Sequence, residues 1–132
     1  MYSQQPDQKG ILDQFKGSLQ ALAVPASDQL SLFPDFVCKA DELALDFDHW
    51  YNVAESHIKF TPEQTQVLAE LDERLSEMSR NGSLFSEELW TEKGLETSEH
   101  WGRVRTLAQT ALSESGWTIA SPPECRSTYV PG

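Results

Sequence analysis

Between Phe36 and Ile58 the large apolar residues fall at Phe36, Ala40, Leu43, Phe47, Trp50, Ala54 and Ile58, always three or four positions apart. That recurrence marks one face of an α-helix, sustained for about six turns. A stripe of this length needs other helices to cover it. The spacing therefore predicts an all-α fold, a small single-domain helical bundle with this helix at its centre. One local pattern pulls the other way. Leu43-Ala44-Leu45-Asp46-Phe47-Asp48 alternates as a half-buried strand would, and the longer register decides for helix.

The flanking segments supply the cover. Ile11, Leu12, Phe15, Leu19 and Leu22 predict a first amphipathic helix over 10–23, stopped by Pro25. Residues 25–34 read as an ordered loop, with Phe33 stapling it to the central helix and Asp35 near the positive end of that helix's dipole. Thr61-Pro62-Glu63-Gln64 is a capping box with proline at the first helical position. The helix it opens carries Val67, Leu68, Leu71, Leu75 and Met78 on one face, and Asn81-Gly82 closes it. Ser86 opens a short helix with Leu89 and Trp90 inward and Gly94 as its stop. Thr97 or Ser98 caps a last long helix bearing Trp101, Val104, Leu107, Ala108, Ala111 and Leu112. Gly116 ends it, and Trp117 and Ile119 are expected to fold back onto the core. The expectation is four longer helices plus one short one over residues 10–120. A flexible N-terminal segment (1–9) precedes them, and an extended Pro-containing C-terminal tail (121–132) follows.

At 132 residues the chain fits one domain, which buries roughly two thirds of its unfolded surface. No basic region followed by an apolar run opens the chain, and no window approaches 18 apolar residues, so the expectation is a cytoplasmic protein without a membrane span. Cys38 and Cys125 read as reduced thiols, and a disulfide between them stays open for an oxidising compartment.

The formal net charge is −11, and 16 of the 21 acids lie between Asp35 and Glu99. Such a surface repels nucleic acid and anionic lipid and attracts basic protein surfaces. Two lines of acids recur every seven residues. Glu63, Glu70 and Glu77 form one, and Asp41, Asp48 and Glu55 the other. Tyr51, if exposed beside Asp48 and Glu55, would add an aromatic anchor. The bland alternative is charge kept for solubility.

Chemistry is less visible. Asp46, His49 and His57 share a flank of the central helix and are the candidate metal ligands of an alternative reading, a metal-binding or metal-dependent protein. No partner motif for them stands elsewhere. Of the E-x-x-E spacings, Glu70 and Glu73 lie about 100° and 160° from the apolar face centred on Leu71, so they point to solvent. Glu96 and Glu99 straddle a predicted cap. Lys39 could lower the pKa of Cys38. No nucleophile elbow, phosphate loop or Cys-x-x-Cys is present, so no catalytic residue and no cofactor is assigned.

In size, predicted bundle and acidic face the chain is broadly similar to bacterial immunity proteins and other protein inhibitors of nucleic-acid enzymes. That resemblance, carried by composition, implies a basic partner such as a nuclease-type toxin. A self-associating assembly protein, a homodimer, is the third reading.

Overall fold

A computed structural model describes residues 8–35 and 37–122. It is all-helical, without strands among the described residues. Six α-helices follow in order: α1 (Gln8–Ala23), α2 (Ala26–Ser31), α3 (Lys39–His57), α4 (Pro62–Met78), α5 (Glu92–Thr97) and α6 (Glu99–Glu114). A 3₁₀ turn, Glu87–Trp90, leads into α5. The four longer helices stand where the apolar periodicity put them. The expectations for residues 1–7 and 123–132, and for a Cys38–Cys125 disulfide, lie outside the described residues.

The long helix is not the hub that its stripe suggested. α1 packs against both α3 and α6, and α6 packs in turn against α4, so α1 and α6 are the inner pair. Phe15 of α1 shows why. It is wholly buried, and its ring lies 5.6–6.2 Å from those of Phe47, Tyr51, Phe60 and Trp117. α3 also starts later than expected, at Lys39, and Phe36 lies outside the described residues. Its face turns so that Leu43, Phe47, Tyr51 and Ala54 are buried, while Trp50 and Ile58 sit half-buried at the margin.

Several boundaries are set by the residues that predicted them. Thr61 Oγ1 accepts from Gln64 N–H at 3.1 Å while Gln64 Oε1 accepts from Thr61 N–H at 2.8 Å, a complete capping box. Asn81 takes a φ of +77°, and Leu84 N–H returns to the Glu77 carbonyl at 2.8 Å. Ser98 caps α6 through the His100 N–H, and Gly116 ends it with a φ of +72°. Trp117 does fold back, its backbone N–H donating to the Leu112 carbonyl and its ring meeting Phe15 edge-on. Ile119 does not. It is half exposed.

Two further expectations are corrected. The loop at 25–34 contains α2, whose Gln29 is fully buried and donates to the carbonyls of Ala21 and Leu22, sealing the end of α1. Gly94 is not a stop but a buried residue in the first turn of α5, where its N–H is accepted by Thr91 Oγ1. Glycine is required there because a Cβ would overlap the Glu88 carbonyl oxygen.

Candidate functional site

α3 and α4 are consecutive and joined by a short loop, yet they do not pack closely along their length. They leave a groove. At its middle a cleft of about 220 Å³ is lined by Ala44, Phe47 and Asp48 of α3 and by Asp72, Leu75 and Ser76 of α4. At the start of α3 it widens to about 410 Å³, where Asp41 and Leu45 face Arg80, Phe85, Glu87 and Trp90. The floor is apolar because the same residues cap the core beneath: Phe47 and Leu75 are buried, and Trp90 Nε1 donates to the Met78 carbonyl at 2.9 Å. Leu45 stands on the rim with 63% of its surface exposed.

The rim is acidic. Asp41, Asp48 and Glu55 are exposed along the α4-facing side of α3, and Asp72 meets them from α4. Among the described residues no ion pair involves Asp48, Glu55 or Asp72. Burial, followed by the charges of Asp48 and Glu55, pushes the Asp72 carboxyl above its ordinary value. Arg80, the basic residue of the wide end, lies with its guanidinium carbon 5.2 Å from the centre of the Phe85 ring.

Tyr51 is not the exposed anchor that the sequence suggested. Its ring is buried and stacks on Phe47 with centroids 5.2 Å apart, because position 51 rather than 50 continues the inward face of α3. Its hydroxyl lies near the Glu55 carboxylate, and burial, then the charges of Glu55 and Asp72, push it up to about 12. Tyr51 therefore supports the rim from below.

The second acidic line occupies another face. Glu63, Glu70 and Glu77 run along the seam between α4 and α6, where Arg103 lies 3.6 Å from Glu70 and Arg74 reaches the His100 ring at 3.4 Å. Here basic side chains stand between the acids. Glu73, placed toward solvent by its helical angle, belongs to this seam too.

The metal reading finds no assembled site. Among the described residues, no group of three or more His, Cys, Asp or Glu side chains is placed to hold a metal ion. His49 stands edge-on to the Trp50 ring at 4.7 Å, and His57 Nδ1 lies 3.0 Å from the Val53 carbonyl, so Asp46, His49 and His57 do not converge. The inferred lowering of the Cys38 pKa is also reversed. Partial burial pushes the thiol up, Sγ donates to the Trp90 carbonyl at 3.3 Å, and Lys39 turns away to the Leu30 carbonyl and Asp35.

Periodicity alone missed the buried polar links. Arg105 of α6 donates to Gln29 Oε1 and to the Leu95 carbonyl, and Gln109 donates to the Ala23 carbonyl at 3.0 Å. The one available signal was a pair of polar residues at i, i+4 beside an apolar stripe.

No family model, no curated protein and no solved structure matches this chain. No helix of the described residues is long and apolar enough to cross a membrane.

Proposed function

We propose that this chain is a non-enzymatic, acidic helical binding protein that holds a basic protein partner against its acidic face. The observation that carries this reading is the convergence of Asp48, Glu55 and Asp72 across one groove, with no basic side chain among the described residues paired to them. Like charges held together on a folded surface oppose one another, and a cationic partner relieves that repulsion on binding. The alternative, charge kept for solubility, is served equally by acids interleaved with bases, as on the α4–α6 seam, and gives no reason for acids to face one another across a groove. A nucleic-acid enzyme belongs to the partner class, since its own site must be basic, which makes an immunity or inhibitor role the specific form of the proposal.

The test begins with the partner, recovered by cross-linking from the source cell. Two triple variants then divide the charge: Asp41, Asp48 and Glu55 to lysine, and Glu63, Glu70 and Glu77 to lysine. The reading predicts that reversal at the groove lowers the association rate with the recovered partner by about tenfold or more, with the fold intact by circular dichroism. Equal rates for the parent and both folded variants would leave the charge a solubility feature.

A further inference from the structure

We infer that the α3–α4 groove seats one amphipathic basic helix of the protein partner, with its apolar side chains on Leu45, Phe85 and Trp90 and its lysines and arginines along Asp41, Asp48 and Glu55. This deepens the basic-partner reading and rests on it.

Leu45 makes one side of the groove apolar. It is 63% exposed, and the only other large hydrophobic exposed among the described residues is Ile119, which follows α6. Leu45 shares its cleft with the half-buried rings of Phe85 and Trp90, so the surface is a contiguous apolar strip rather than a lone side chain. The polar half is charge complementarity. Asp41 and Glu87 at the wide end and Asp48 and Asp72 at the middle outnumber Arg80, the one cation lining the groove among the described residues, which is engaged with the Phe85 ring. A nucleic acid or an acidic helix would be repelled.

Length and periodicity point to a helix. Asp41, Asp48 and Glu55 stand seven residues apart on α3, so they recur every two turns on one side over about 21 Å at the α-helical rise. A partner helix laid alongside presents lysine or arginine at the same pitch, flanking an apolar seam, as heptad-paired helices do. Among the described residues there is no strand and so no sheet edge for strand addition, and acids recurring at the helical pitch match an amphipathic helix better than an extended peptide.

The test uses the full chain and a synthetic 18-residue probe peptide. The probe carries leucine at heptad a and d positions and lysine or arginine at the flanking positions, and a scrambled peptide of identical composition serves as control. Binding is read by fluorescence anisotropy. A photo-reactive residue at the rim (Leu45→p-benzoylphenylalanine) reports the occupant by mass spectrometry. The patterned peptide should bind about tenfold more tightly than the scrambled one and cross-link at position 45. Leu45→Ser, which leaves the charge unchanged, and the Asp41→Lys, Asp48→Lys double variant should each weaken it by about tenfold, while lysines at Glu63, Glu70 and Glu77 change it by less than about threefold. Equal binding of the scrambled peptide, or a cross-link to a second copy or within the same chain, overturns the proposal. Loss of binding in the Glu63, Glu70, Glu77 variant alone overturns the groove and leaves the basic-partner reading standing. Binding indifferent to every substitution removes both.

Discussion

Arg105 donates from Nε to the side-chain oxygen of Gln29 at 3.1 Å, joining residues 76 positions apart. The same Gln29 amide seals two carbonyls at the end of α1, so one fully buried side chain ties α1, α2 and α6 together. Burial lowers the Arg105 pKa. Gln29→Ala orphans these partners and should cost about 2–4 kcal/mol, read by urea unfolding. A cost near that of an exposed alanine substitution would show that water replaces the network.

The two tryptophans on the predicted stripes of α3 and α6 should separate clearly. Trp101 is wholly buried and donates to the Leu89 carbonyl at 2.7 Å, so Trp101→Ala should cost about 3–5 kcal/mol. Trp50 sits at the margin of the core, so Trp50→Ala should cost about 1–2 kcal/mol. Chemical denaturation of both variants checks the order, and similar costs would place Trp50 in the core after all.

That contrast shows what periodicity can and cannot tell. Helical spacing located α1, α3, α4 and α6, because each runs long enough for a stripe to repeat several times. It could not choose between Trp50 and Tyr51, since both positions extend the run Leu43, Phe47, Ala54 at spacings of three or four. The six-residue α2 is too short to show a period, and Gln29 meets α6 only through the tertiary fold. Leu45 produced the strand-like alternation at 43–48, and it is the residue that α3 leaves exposed at the groove. The two acidic lines were visible by spacing, while their division between an unpaired groove and a seam interleaved with arginine required the packing of α4.

Two glycines within helices should respond in opposite directions. At Gly94 a Cβ meets the Glu88 carbonyl, so Gly94→Ala should lose about 2–3 kcal/mol as the backbone shifts. At Gly102, inside α6, nothing lies within 4 Å, so Gly102→Ala should gain about 0.5–1 kcal/mol from restricting the unfolded chain. Thermal melts read both signs directly.

The groove carboxylates set a pH dependence. The Asp72 pKa is raised on folding, so the folded state binds more protons than the unfolded one as pH passes from the ordinary value of 3.8 up to the raised value. Its contribution is therefore fully present below 3.8 and lost as pH rises through the raised folded value. Asp72→Asn should melt higher than the parent at neutral pH, with the difference shrinking on acidification. Tyr51 behaves alike at the alkaline end, where stability should fall as pH rises from 10 toward about 12, and Tyr51→Phe should flatten that fall. A parent and Asp72→Asn variant with parallel pH profiles would show that neither burial nor the facing carboxylates raise the Asp72 pKa.

The proposed role of the acids facing the α3–α4 groove is to draw in a basic partner. Its most direct test is the association rate of the recovered partner, measured by stopped flow from about 50 to about 500 mM salt. The parent's rate should fall by about tenfold or more across that range, and the variant with lysine at positions 41, 48 and 55 should start slow and change little. A parent rate indifferent to salt, or a variant that associates as fast as the parent at low salt, would contradict it.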